Sequence, residues 1–419
     1  MKINNKIKLL ILLFILIGVG FFYFFNSIIS KDKFRNLKDL LSVENREIVK
    51  KYVFPYKLIS QQQQKLSAQK RVINPKALLA LELSFKESNA DIKTTKSSFE
   101  MTNKKILNKH LLHEGFYLGI YNAYPGSGYI DFYGDDLFIL SSVGVLAYTK
   151  NISDNYIFKQ IRNNIGEFIG EKQFKKSHKF SLKDLFIYKD KIFISYTEEK
   201  KEDCWNTGII FGDINYENIK FEKVFSSKEC IHSINNIDNE FEVWQSGGRI
   251  VDFDKDNILL SIGDYRERHF AQNKDSVNGK IIKININNSN YEIISMGHRN
   301  PQGLYFDKEN NFIIETEHGP MGGDEINLIE VEKINKDEIL NYGWPVVSAG
   351  EHYGGKNPKR NKIKYEKYPL YKSHSEHGFI EPLKSFVPSI GISEIVKIKK
   401  NKYVASSLRN KSLYFFEIN

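Results

Sequence analysis

From about residue 110 onward the sequence is a succession of short apolar, β-branched and aromatic runs, each entered through a polar turn, and this repetition limits the fold more than any other feature. The clearest runs are Asp136–Leu140, Lys191–Tyr196, Asn257–Ile262, Asn311–Glu315 and Lys402–Ser406. Each follows a turn of Gly, Asp, Lys or Asn, and most have another short strand before that turn. The unit returns about every 50–65 residues, with longer insertions before the last copy. A unit of that size buries its faces only against its neighbours, which points to an all-β propeller. A β-sandwich would also supply many short strands, and spacing alone does not separate the two.

The first hundred residues have a different texture. Lys2, Lys6 and Lys8 precede Leu9–Phe25, an uncharged run close to the length that crosses a bilayer. No small-residue cleavage site follows it, so residues 1–30 are expected to be an uncleaved transmembrane anchor rather than a removed signal peptide. The leading lysines keep the N-terminus in the cytoplasm and send the rest across. The expected location is therefore the cytoplasmic membrane, crossed once, with the C-terminal domain facing the periplasm or exterior. Residues 31–108 carry Leu37, Leu40, Leu41 and Ile48 at helical spacing and a Gln61–Gln64 tract. They read as a partly helical stalk or, since Pro55 and Pro75 interrupt the pattern, as a flexible linker. The propeller is assigned to 109–419.

Cysteine usage agrees with export. The two cysteines, Cys204 and Cys230, both lie beyond the anchor, and an even pair in an oxidising compartment suggests one disulfide, with two separate buried thiols as the alternative. No CxxC spacing argues for a metal or redox site. Lysine and arginine exceed acids by 61 to 51, but the two signs are interspersed and no nucleic-acid-binding signature is present. Nucleic acid is not an expected partner.

Three linked motifs lie between Gly297 and Gly354: Gly297-His298-Arg299-Asn300-Pro301-Gln302-Gly303-Leu304, then Glu317-His318-Gly319-Pro320-Met321-Gly322-Gly323-Asp324-Glu325-Ile326-Asn327-Leu328, then Asn341-Tyr342-Gly343-Trp344-Pro345. Together they closely resemble the glucose/sorbosone dehydrogenases, quinoproteins that hold pyrroloquinoline quinone (PQQ) at the mouth of a six-bladed propeller. Gly247-Gly248-Arg249-Ile250, Ile262-Gly263-Asp264 and Gly279-Lys280-Ile281-Ile282 upstream, and Pro388–Ser393 and Ser407-Leu408-Arg409 downstream, extend the resemblance to about 247–412. It implies a six-bladed type of propeller whose last blade is incomplete, because the chain stops directly after Leu413–Ile418.

The resemblance also implies a site. PQQ is a flat tricarboxylate, so it needs cations for its carboxylates and polar groups at its reactive carbonyl. By match to the family, Arg299 and Asn300 would contact the quinone, and Leu408 and Arg409 would cover and pair with it. The backbone carbonyls of Gly319 and Pro320 would hold the calcium that bridges cofactor and protein. Glu325 and the backbone of Tyr342 match a second, structural calcium site, with an insertion between them relative to the family.

The family's base is a histidine four residues before the arginine of the Gly-Gly-Arg motif, and that position here is Gln245. A carboxamide can orient a substrate but cannot take its proton. His318 is the remaining candidate base, although its place suits a structural role better, and His298 reads the same way. The expected function is that of a PQQ-dependent aldose dehydrogenase, an oxidoreductase acting on a sugar or other alcohol outside the cytoplasmic membrane and passing electrons to an unidentified acceptor. The alternative is a catalytically degenerate propeller that binds a carbohydrate or protein partner, as Gln245 suggests.

Overall fold

Each of the five apolar runs becomes the second strand of its own sheet in the computed structural model, which describes residues 91–100, 104, 106–112, 128–150, 156–177, 179–334, 338–354 and 358–418. These strands are Asp136–Ser141, Lys191–Lys201, Asn257–Ile262, Phe312–Glu317 and Lys402–Ser407. The polar turn before each folds it back, antiparallel, onto an inner strand: Gly128–Tyr133, Leu182–Tyr188, Gly247–Asp252, Pro301–Asp307 and Ile392–Lys399 respectively. In the first four sheets the second strand is covered on both faces, which is why these runs are largely apolar rather than alternating, whereas Lys402–Ser407 in the last sheet alternates in burial. Leu260 packs into the core shared with the preceding sheet, while Leu259 packs into the core shared with the following one. Ile313 and Ile314 divide in the same way.

The sheets therefore stack in sequence order, each buried against its neighbours. They hold seven, five, five, four and three strands, and among the described residues there is no sixth. The three-stranded sheet is the last among the described residues. The first sheet begins at Asp91, inside the segment read as stalk: Asp91–Glu100 pairs with Ile157–Asn163 on one side and with Ile106–Leu112 on the other. Only Ile92 of that strand is buried, so it has no alternation by which a sequence reading could find it. Glu171–Lys176 and Pro358–Lys367 are the α-helices among the described residues, and no helix there is long and apolar enough to cross a membrane. The anchor, and the stalk up to residue 90, lie outside the described residues.

Consecutive inner strands pack side by side, and all five line one cavity of about 670 Å³. Inside it Arg249 donates to Asp184 Oδ1 at 2.5 Å and also pairs with Glu394, tying together the second, third and fifth sheets. Asp184 also accepts the backbone N–H groups of Ile250 and Leu185, yet burial pushes its carboxyl up to about 7. Cys204 and Cys230 form the expected disulfide, with Cα atoms 5.3 Å apart. The two cysteines are 26 residues apart in sequence, and closing a loop of that length contributes about 3 kcal/mol.

Candidate active site

Antiparallel pairing brings the start of each inner strand and the end of each second strand to the same end of a sheet. The motif residues fall on those loops. Gln245 ends a short 3-10 turn, Val243–Gln245, which Glu242 caps by accepting the Trp244 N–H. Its buried amide is oriented by its surroundings: the oxygen accepts from Arg299 Nη2 (2.8 Å) and Arg266 Nε (2.8 Å), and the nitrogen donates to Asp264 Oδ1 (3.0 Å). The other oxygen of Asp264 accepts from Trp344 Nε1 at 2.7 Å, which hooks the Asn341–Pro345 motif onto the third sheet. Burial pushes the Asp264 carboxyl up, and Arg299 and Arg268 draw it back.

Arg299 is only 4% exposed. Its Nη1 donates to the carbonyl of His318 at 2.6 Å and its backbone N–H to Glu317 Oε2 at 2.5 Å. The guanidinium lies 5.4 Å from the Trp344 ring and 5.8 Å from the Tyr353 ring, and Arg266 lies 5.0 Å from the same tyrosine. These are cation–π distances. Asn300 is turned to a different task. Its Oδ1 accepts from the Gly247 N–H (3.3 Å) and from Gln302 Nε2 (3.0 Å), at the joint between the third and fourth sheets.

His318 opens the next turn, and burial holds its imidazole below the ordinary value, with Asp324 opposing and Arg299 adding to the effect. At Gly319 a Cβ would fall 1.4 Å from the Gly323 carbonyl oxygen, so no other residue fits this turn as built. Pro320 places its carbonyl in the same turn, where it accepts from the Gly323 N–H (3.2 Å) and keeps a second lone pair.

Asp324 organises the rim. One oxygen accepts from the Gly319 N–H (3.3 Å), the other from the N–H groups of Gly391 (2.6 Å) and Ile392 (3.0 Å). The Gly391 carbonyl accepts from the Leu408 N–H (2.8 Å), and Arg409 Nη1 donates to the Ser389 carbonyl (2.9 Å). The two C-terminal candidates thus reach the same rim, with Leu408 69% exposed.

Glu325 and Tyr342 have separate partners. Burial, reinforced by Glu317, pushes the Glu325 carboxyl well above its usual range, and the Ala349 N–H donates to it. The Tyr342 hydroxyl donates to the Leu328 carbonyl (2.6 Å), and its ring stacks on His298 at 5.0 Å. Asp264, Asp324 and Trp344 sit inside the motifs, but their roles need the fold to be seen. Arg266 and Tyr353 carry no sequence signal that marks them.

The family model for glucose/sorbosone dehydrogenase matches residues 179–419. Aldose sugar dehydrogenase YliI of Escherichia coli (strain K12) is 29% identical over 186 residues, covering 41% of this chain and 46% of that protein. Quinoprotein glucose dehydrogenase B of Acinetobacter calcoaceticus is 37% identical over 82 residues, covering 17% of this chain and 16% of that protein. The chain spans less than half the length of these curated relatives. The crystal structure of the soluble aldose sugar dehydrogenase from Escherichia coli in its apo-form superposes with a TM-score of 0.51 at 20% identity, covering 70% of this chain and 82% of that one, a likeness of fold.

Proposed function

The chain belongs to the glucose/sorbosone dehydrogenase family, and on that premise we propose that it binds PQQ with calcium at the loop end of its sheets and oxidises an aldose or related alcohol. One observation carries the reading: the guanidinium groups of Arg266 and Arg299 converge on the neutral oxygen of Gln245, with the buried carboxylate of Asp264 beside them. Two guanidinium groups in one pocket suit a polyanionic, planar ligand. The half-exposed Tyr353 and the exposed Leu408 supply apolar cover at the same rim.

PQQ, when bound, supplies a two-electron acceptor. Arg299 would meet its negative charge, Arg409 would pair with it from the rim, and the carbonyls of Gly319 and Pro320 would hold the calcium. Gln245 would position a substrate hydroxyl without taking its proton, and His318, whose carbonyl accepts from Arg299, is the imidazole that would accept one. Glu325 and Tyr342 would serve a second calcium only if the turn between them closes around it. The Leu9–Phe25 run and the disulfide support an anchored protein working on the outer face of the cytoplasmic membrane. Residues 1–30 would form that anchor and 31–90 a stalk.

A second reading rests on the Gln245 amide, whose oxygen already accepts two hydrogen bonds: a propeller that keeps the scaffold and binds a carbohydrate or protein partner without turnover. Purified protein supplied with calcium, PQQ, a panel of aldoses and an artificial dye separates the two. Slow, quinone-dependent dye reduction with at least one aldose is expected. Quinone bound with no reduction by any aldose would favour the binding-only propeller.

A further inference from the structure

Beneath the Arg299–Asn300 turn lies a buried cluster of carboxyl and imidazole groups that the quinone site does not use. Glu315 and Glu317 are alternate residues of the strand Phe312–Glu317, so their side chains leave the same face. Both are buried, as is His298, which approaches them from the preceding loop. His298 Nε2 is engaged with Ser295 Oγ at 2.8 Å, and the ring is held flat against Tyr342. Its Nδ1 has no hydrogen-bond partner, and neither does Glu315 Oε1. That Nδ1 lies 3.8 Å from Glu315 Oε2 and 3.8 Å from Glu317 Oε1, too far for hydrogen bonds.

Asn327, opposite Glu315 in the ladder, donates Nδ2 to Glu315 Oε2 (2.9 Å) and Glu317 Oε1 (3.2 Å). It holds the two carboxylates together without neutralising them. Glu325 stands opposite Glu317 and adds a third acid. Among the described residues no lysine or arginine side chain forms an ion pair with Glu315 or Glu317. Buried carboxylates facing an unpaired imidazole nitrogen are costly unless a proton or a cation neutralises them, and the gap between Nδ1 and both carboxyls has the size of a metal site.

We propose that His298 Nδ1, Glu315 and Glu317 form an internal site for one first-row divalent metal ion, taken up as the chain folds. The three ligand atoms lie within 4.8 Å of one another, and 3.8 Å is a separation that two ligands can span at an open angle when each is about 2.1 Å from a common ion. One imidazole with two carboxylates suits zinc or manganese better than calcium, which takes six to eight oxygens. The site is distinct from the Gly319 and Pro320 carbonyls and does not depend on quinone binding. Its link to function is Glu317, whose other oxygen accepts the backbone N–H groups of Arg299 and Asn300. The ion would fix the carboxylate that positions that turn.

The test is metal content and unfolding of the full chain, refolded from denaturant with zinc or with a chelator, in excess calcium and without PQQ. The zinc-refolded protein is expected to retain one equivalent through gel filtration and to unfold at a higher midpoint than the chelated form. Glu315→Gln, nearly isosteric, is expected to lose both the zinc and the shift. If that variant does not fold, X-ray absorption of the zinc-loaded wild type decides, with one imidazole and oxygen neighbours expected. Wild type that retains no zinc, or a Glu315→Gln protein that keeps the same zinc and the same shift, overturns the proposal.

Discussion

Exchanging Gln245 for histidine is expected to raise PQQ-dependent dye reduction by about 10²–10⁴-fold, the usual worth of a positioned general base. Gln245 stands where the resemblance to the family places an imidazole, and its backbone is fixed by the capped turn Val243–Gln245 and by the Tyr265 N–H, which donates to its carbonyl. The side chain of a histidine would face Arg266 and Arg299, two cations that favour its neutral, proton-accepting form. Asp264, now hydrogen-bonded to the Gln245 nitrogen, would be available to orient the ring. The check is steady-state dye reduction by wild type and Gln245→His with saturating PQQ and calcium. Rapid turnover by wild type would show that another group, His318 first, already serves as base. An unchanged rate in a variant that still binds PQQ would show that the rest of the site is not competent.

The largest effect on stability is expected from Arg249→Ala, at about 3–5 kcal/mol at alkaline pH, because it leaves the buried Asp184 carboxylate without its cation. Glu394, which opens onto the cavity, contributes less. The loss should depend on pH. Burial already pushes Asp184 up to about 7 in the folded protein, against 3.8 for the ordinary group. Between those values the folded state keeps a proton that the unfolded state releases, so stability falls as pH rises. Removing Arg249 raises the folded value further. The deficit of the variant should therefore be small from about pH 5 to about pH 7, where the folded state keeps the proton in both proteins, and grow from about pH 7 to 9. Urea unfolding of both proteins across that range checks it, and a deficit that is absent, or that shrinks as pH rises, would refute this account of the cavity.

The parts of the fold that could be read from sequence are those buried on both faces. Strands such as Asn257–Ile262 and Phe312–Glu317 announce themselves because each apolar residue serves one of two cores. Asp91–Glu100, with Ile92 alone buried, gives no such signal. The site divides along similar lines. Residues whose chemistry follows from a local motif, such as Arg299 and Gly319, were legible, whereas contacts between distant loops were not. Arg266 reaches Gln245 from a turn where its own φ is +64°, and no spacing in the sequence encodes that approach. The Gln245 position was visible as a missing base, but the double engagement of its oxygen required the fold. Asp324 was seen only as part of a motif, because its partners Gly391 and Ile392 come from the next sheet.

Equilibrium titration of the purified chain with PQQ, followed by quinone absorbance with and without calcium and repeated on Arg299→Ala, tests the central claim most directly. Saturable, calcium-dependent binding is expected from the wild type. Loss of a charge-assisted contact of about 1.5–3 kcal/mol should weaken it by about 10–150-fold in the variant. No saturable binding in either condition, or equal binding by Arg299→Ala, would contradict the assignment of this rim as a quinone site.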